Sequence, residues 1–510
     1  MSGISSWARY WSRFSPRRPA LVHEERIVTW QELETACSHL AGGLHALGID
    51  RGDRVGALLR NGPVHFEVVL ACARVGAIFV PLNPMLTPVE LREQSEDAEL
   101  TALVTDSSFV AALSHLEQVV GAERILFADA PPAGGRALDE LRGADPIDDD
   151  SSVDMSDPLF LCYTSGTTGS SKGAVLTHGN CEGLAVSVMA ADDLGPDDRA
   201  LVTVPLAFTG AGVSFAMPIL HCGGSMLIRE AFEPEAVLDD IERRGVTFIG
   251  VVPVVLERLA NAASFEERNL SGLRVAKAGG ASVPESLLRL YQQRGVPLVG
   301  AYGLTEGTGC NLELPAHDAL RKLGSTGLPL LGQRAMVVTP DGSEAGPGEP
   351  GELLLGGACV MQGYWKQPEI TAQTIRDGWL HTGDVATMDE DGYYRIVDRQ
   401  KDMIISGGIN VYPAEVERAL SGHPDVVELA VVGVPDDRWG EAAVVCAVSS
   451  NPHLTLDDLL SVAADTLAPF KRPRRLELMD QPLPRGMSGK VLKRELRRTV
   501  IGSRPADAAS

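Results

Sequence analysis

The sequence predicts an α/β protein: a large N-terminal α/β body, a small β-barrel-like subdomain, and a small α+β module at the C-terminal end. Three observations carry this. Strand-like apolar runs alternate with helix-like segments from residue 21 onward, which argues for a parallel sheet with helices on both faces. Beyond about residue 325 the pattern changes to short strands and tight turns such as Pro340-Asp-Gly342 and Asp391-Gly392. From Lys401 onward strands and helices alternate again over roughly 110 residues, enough for a separate module. At 510 residues the chain is too long for one core, so two or more domains are expected.

Taken in order, Trp7, Tyr10, Trp11 and Phe14 lie at helical spacing beside Arg9, Arg13, Arg17 and Arg18. They read as an amphipathic helix packed on the body rather than on a membrane. Strands are expected over 54–59, 77–80 and 102–105, with a helix over 67–74 between the first two. Residues 130–151 are rich in Pro and Gly and then acidic, and read as a solvated connector. A buried strand follows over 158–162. Pro234 starts a helix with Val237, Leu238 and Ile241 on one face, and Gly245 ends it. Ser282-Val-Pro-Glu285 reads as a capping box opening a helix with Leu287, Leu288 and Tyr291 inward. A strand over 296–299 then delivers Tyr302-Gly-Leu-Thr-Glu306 to its carboxyl end, where open α/β sheets bind ligands.

The net charge of −23 argues against a nucleic-acid backbone or an anionic membrane as partner, so an anionic ligand needs a local positive site. The eight cysteines are scattered and form no C-x-x-C, as expected of buried reduced thiols in a cytoplasmic protein. No stretch approaches the roughly 18 apolar residues of a membrane span, and the first residues lack the apolar core of a signal peptide. Stable membrane insertion is therefore not expected.

The stretch Tyr163-Thr-Ser-Gly-Thr-Thr-Gly-Ser-Ser-Lys-Gly173 is a Gly/Ser/Thr loop thrown off a sheet end. Its glycines let backbone N–H groups approach an anion, its hydroxyls add donors, and Lys172 adds charge. A bare loop of this composition also fits a flexible linker. Walker A spacing is absent, because Ser171 and Gly173 stand where that motif needs Gly and Ser/Thr.

The loop resembles the signature of the adenylate-forming superfamily: acyl-CoA synthetases, peptide-synthetase adenylation domains and beetle luciferases. Tyr302-Gly-Leu-Thr-Glu306, Thr382-Gly-Asp384, Asp398-Arg399-Gln-Lys401-Asp402 with Ser406-Gly-Gly408, and Pro484-Arg-Gly-Met-Ser-Gly-Lys490 stand in that family's order. The resemblance covers nearly the whole chain and is greatest to bacterial fatty-acyl and 4-coumarate-CoA ligase-like members. It implies two α/β subdomains plus the small β-subdomain within an AMP-binding domain over 1–400. It also implies a mobile C-terminal domain over 401–510, hinged at Lys401.

The resemblance further implies ATP, Mg²⁺ and coenzyme A as cofactor and co-substrates. Thr164, Ser165, Gly166, Thr167, Thr168, Gly169 and Lys172 would hold the β- and γ-phosphates, and Glu306 beside Thr305 would contact the metal. Gly279, Gly280, Ala281 and Tyr302-Gly303 match the adenine pocket; Asp384 matches the ribose acid and Arg399 its basic companion. Lys490 would bridge the acid and the α-phosphate, and Ser406, Gly407 and Gly408 would let pantetheine pass close to backbone.

The acid pocket is expected at Phe208, Thr209, Gly210, Gly280 and Ala301. The run Pro205-Leu-Ala-Phe208-Thr-Gly-Ala-Gly212 departs from the Pro-x-Phe-His of relatives, with Phe208 for the histidine and Gly210 where an aromatic often sits. An apolar fatty, aryl or polycyclic acid is expected, and a free amino acid is not. Only residues 491–510 follow Lys490, so loading of a carrier protein, the alternative to free CoA, would occur in trans. A non-catalytic nucleotide-binding relative is the other alternative, opposed by the intact Lys490, Glu306 and Asp384. A homodimer is allowed.

Overall fold

The computed structural model describes residues 3–148, 152–164, 171–281, 283–399, 402–406, 409–436, 440–463, 467, 471–486 and 490–502. The chain divides into two compact units, Met1–Ala335 with Leu355–Leu380 and Met336–Leu354 with His381–Ser510.

Two α/β sheets build the first unit. One has eight strands in the order Gly363–Tyr364, Lys172–Thr177, Pro158–Thr164, Ile78–Pro81, Arg54–Leu58, Ala102–Thr105, Ile125–Phe127 and Arg136–Ala137. It is parallel from Pro158–Thr164 to the far edge and antiparallel at the Lys172–Thr177 end. The other has a parallel centre in the order Leu298–Tyr302, Val275–Gly279, Phe248–Val251, Arg199–Val202, Ser225–Ile228 and Pro19–His23, with antiparallel strands at both margins. Strands such as Ile78–Pro81 and Ser225–Ile228 are buried at every position, the condition that makes parallel strands read as continuous apolar runs.

Helix boundaries follow local chemistry. Helices Pro63–Val75 and Pro234–Arg243 both begin with Pro in the first turn, where its missing N–H costs nothing. Gly245, at φ 66°, stops the second. The N-terminal helix Ser6–Phe14 buries Trp7 and Trp11, and the Trp11 indole donates to the His221 carbonyl at 3.0 Å. Only Tyr10 and Phe14 of its aromatics are exposed, so the helix is packed on the body.

One sequence expectation needs correction. Residues 130–151 are not wholly solvated: Arg136–Ala137 adds an edge strand, and the 3₁₀ segment Leu138–Gly143 buries Leu138 and Leu141. Leu141 closes over helix Trp30–Ala46 where Gly43 has no side chain to hold it off. Helix Glu285–Gln293 starts after Pro284; Ser282, the expected cap, lies outside the described residues.

In the second unit, Trp379–Met388 and Tyr394–Arg399 pair antiparallel, and the turn between them uses Gly392 at φ 82°. A further sheet is built on the antiparallel pair Val426–Asp436 and Gly440–Ser449, with Arg475–Leu478 parallel beside it. Its alternation sorts side chains to opposite faces. Val431 and Val445 pack with Val416 and Leu420 of helix Pro413–Leu420. Ala430, Val432 and Val444 pack with Leu496 and Val500 of helix Lys493–Gly502. All eight cysteines are buried and free, and no described helix is long and apolar enough to cross a membrane.

Candidate nucleotide and acid site

The Gly/Ser/Thr segment joins two strands that pair with each other. Strand Pro158–Thr164 runs into it, strand Lys172–Thr177 returns antiparallel, and Thr164 stands opposite Lys172. Ser165, Gly166, Thr167, Thr168 and Gly169 lie outside the described residues. At the mouth, the Thr164 hydroxyl donates to the Lys172 carbonyl at 3.4 Å. The Tyr163 phenol donates to Asp97 at 2.6 Å, and burial together with that carboxylate raises its pKa. The Lys172 ammonium lies 5.1 Å from the centroid of the Tyr364 ring.

Strand Leu298–Tyr302 ends in the short 3₁₀ turn Thr305–Gly307. Gly303 is required there, since a Cβ would collide with the Gly309 carbonyl oxygen. Thr305 Oγ1 is 3.1 Å from Thr209 Oγ1, which brings a candidate pocket residue against a candidate catalytic one. Glu306 Oε1 accepts a 2.7 Å hydrogen bond from the Tyr364 hydroxyl, and the Glu306 carbonyl accepts one from the Met361 N–H at 2.9 Å.

On the neighbouring strand Val275–Gly279, Gly279 stands opposite Ala301, and Gly280, at φ 79°, turns the chain away with Ala281 exposed after it. Gly279, Gly280, Ala301 and Tyr302 thus lie at the ends of two adjacent strands. Phe208 and Thr209 precede a π-turn, Gly210–Phe215, that runs into helix Ala216–Cys222; such turns recur at functional sites. Behind it His65 is buried, its pKa pushed down to about 3 by desolvation.

Lys277 points to the interior of the same unit, 2.5 Å from Asp192 and ion-paired with Glu313. Burial opposes its charge, but Glu313 and Asp192 together hold its pKa above the ordinary value. Burial, with Asp192 adding to it, raises Glu313 above the usual carboxylate range.

In the second unit, Asp384 is buried on strand Trp379–Met388 opposite Arg399, and its N–H donates to the Thr382 hydroxyl at 3.1 Å. Ser406 ends strand Ile404–Ser406 and pairs with Ile409 and Gly440. Lys401, Gly407 and Gly408 lie outside the described residues. Lys490 is exposed on the loop before helix Lys493–Gly502, its carbonyl accepting from the Gly486 N–H at 2.7 Å.

Among the described residues, no group of three or more His, Cys, Asp or Glu is arranged to hold a metal. That fits Mg²⁺, which is usually bound by one or two carboxylates plus substrate phosphates rather than by an all-protein cage. Glu306 stands on a turn joined through Tyr364 to Lys172.

Tyr364 and Lys277 were not singled out in the sequence. Nothing local marks them: Tyr364 follows a glycine in a turn-rich stretch, and Lys277 interrupts an apolar strand. The reverse signal, a lone lysine inside a buried parallel strand, is the one that would have found Lys277.

Residues 8–365 match the family model of AMP-binding enzymes, and residues 415–490 match that of the AMP-binding enzyme C-terminal domain. The chain is 41% identical over 497 residues to a feruloyl-CoA synthase of Amycolatopsis sp, covering 97% of this chain and 99% of the relative. It is 36% identical to an indoleacetate–CoA ligase of Aromatoleum aromaticum, covering 98% of each. The o-succinylbenzoate-CoA synthetase of Bacillus subtilis superposes with a TM-score of 0.86 at 32% identity in its complex with the acyl-adenylate, over 96% of this chain and 97% of that one. The same enzyme, solved with ATP and magnesium ion, gives a TM-score of 0.85 over 96% and 98%.

The chain belongs to the AMP-binding enzyme family, the adenylate-forming class that its motifs resemble. Within that class it is an AMP-forming acid–thiol ligase: it activates a carboxylic acid with ATP and Mg²⁺ to an acyl-adenylate and passes the acyl group to coenzyme A.

Proposed function

We propose that the acid is aromatic, of the hydroxycinnamate or arylacetate kind, rather than a fatty acid. The observation that carries this reading is the full-length 41% identity to a feruloyl-CoA synthase. Indoleacetate and 2-succinylbenzoate ligases, also specific for aryl acids by name, follow at 36% and 34%. The wall fits a flat ring: Phe208 and Thr209 lead into the π-turn, and Gly280 and Ala301 present almost no side chain at the strand ends.

In this reading Thr164 to Lys172 grip the triphosphate, Gly279 to Ala281 and Tyr302 hold the base, and Asp384 with Arg399 holds the ribose. Glu306 would hold Mg²⁺, with Thr305 beside it. When bound, that ion neutralises phosphate charge as it develops. A substrate carboxylate oxygen attacks the α-phosphorus, forming the acyl–O–P bond as the bond to pyrophosphate breaks. Lys490 supplies positive charge where the oxyanions build. The CoA sulfur then attacks the acyl carbon and AMP leaves with the electron pair, the thiol passing along Ser406 to Gly408. The lysine's single role fits a mobile C-terminal domain over 401–510, hinged at Lys401, beside a domain over 1–400. The eight buried free thiols favour a cytoplasmic setting.

Pyrophosphate release is the test. Ferulate, 4-coumarate and indole-3-acetate are expected to exceed fatty acids of six to eighteen carbons by about tenfold or more in kcat/KM. Faster turnover of any of those fatty acids overturns the aromatic assignment.

A further inference from the structure

Tyr364 touches two residues assigned to different grips. Its hydroxyl donates to Glu306 Oε1 at 2.7 Å, and its ring lies 5.1 Å from the Lys172 ammonium. Its hydroxyl thus meets a carboxylate and its ring an ammonium.

The ring has little freedom to leave. Gly363 and Tyr364 pair with Val175 and Ala174 on the strand that closes the phosphate loop. The Trp365 N–H donates to the Gly173 carbonyl at 2.7 Å, and the Met361 N–H donates to the Glu306 carbonyl at 2.9 Å. The Tyr364 N–H donates to Thr371 Oγ1 at 2.8 Å, and Asn180 donates to the Ala358 and Val360 carbonyls at 2.6 and 2.9 Å. One short segment thus joins the phosphate loop's return strand to the Glu306 turn, with the aromatic ring at the junction.

We propose that Tyr364 is a positioning residue that orients the Glu306 carboxylate for Mg²⁺ and holds the Lys172 ammonium apart from it. The proposal rests on the metal role given to Glu306 above. The phenol O–H is the donor in the 2.7 Å hydrogen bond to Glu306 Oε1. A hydrogen bond to a charged acceptor fixes which way the carboxylate faces, and the ring face attracts the ammonium without cancelling its charge.

The test measures the dissociation constant of a non-hydrolysable ATP analogue by calorimetry, with and without Mg²⁺, on the full chain. Tyr364→Phe keeps the ring and removes the hydroxyl. It is expected to reduce the Mg²⁺-dependent tightening about tenfold while leaving metal-free binding within about twofold. Tyr364→Leu also removes the ring, and is expected to weaken metal-free binding a further threefold or so. Glu306→Gln is expected to lose most of the Mg²⁺ response. A Tyr364→Phe chain with the wild-type Mg²⁺ response, when Glu306→Gln has lost it, overturns the tyrosine's role alone. A Glu306→Gln chain that keeps that response overturns the metal role of Glu306, and this proposal with it.

Discussion

The two units present their lysines in opposite ways. Lys172 sits at the start of a strand, half-buried, faced by the Tyr364 ring and backed by a turn whose carboxylate and carbonyl are both hydrogen-bonded. Lys490 is exposed on a loop, and its backbone carbonyl is tied to Gly486 while helix Lys493–Gly502 anchors the chain after it. A group that grips substrate through every step gains from rigid support. A group wanted for one step and not the next gains from an exposed loop on a separable module. The contrast predicts that the first lysine governs binding and the second governs rate.

Substitutions can break or sharpen that contrast. The largest effect is expected from Lys490→Ala, which should lower kcat for ligation by about 10³-fold, with the KM for ATP nearly unchanged, in steady-state assays of pyrophosphate release.

Next comes Lys277→Met, which strands Asp192 and Glu313 as two buried carboxylates. Removing one partner of a buried pair typically costs about 3–5 kcal/mol. Denaturant unfolding should show a loss of that order in the first unit's transition.

His65 tests the same rigid body through pH. Its folded pKa of about 3 lies below the ordinary 6.5, so the unfolded chain binds the extra proton. Stability present above pH 6.5 is therefore lost as pH falls toward 3. Between pH 7 and pH 5 this one group should cost about 2 kcal/mol, and His65→Leu should flatten the acid limb of the unfolding curve by that amount.

The smallest effect is Lys172→Ala, expected to raise the KM for ATP about tenfold with kcat changed less than about threefold. Loss of kcat instead would erase the distinction between the lysines.

Much of this architecture was legible in the sequence because its signals are local. The strand Ala102–Thr105 is three apolar residues ended by a Thr, Pro234 and Gly245 bracket a helix, and Gly392 marks a turn. The candidate site was legible where chemistry clusters in short motifs, as at Thr305-Glu306 and Asp384. What stayed hidden depends on contacts between distant positions. Tyr364 meets Glu306 across 58 residues, Thr209 meets Thr305 across 96, and Lys277 meets Asp192 across 85. No periodicity or spacing encodes such meetings; only the sheet order does. The burial of Leu141 was hidden for the same reason, since Gly43, which receives it, belongs to a helix ending at Ala46.

The most direct measurement supplies synthetic acyl-adenylate and CoA to the Lys490→Ala chain and follows thioester formation. The account predicts a rate within a few-fold of wild type, although the same chain no longer makes the adenylate from ATP. Equal loss of both half-reactions would contradict it.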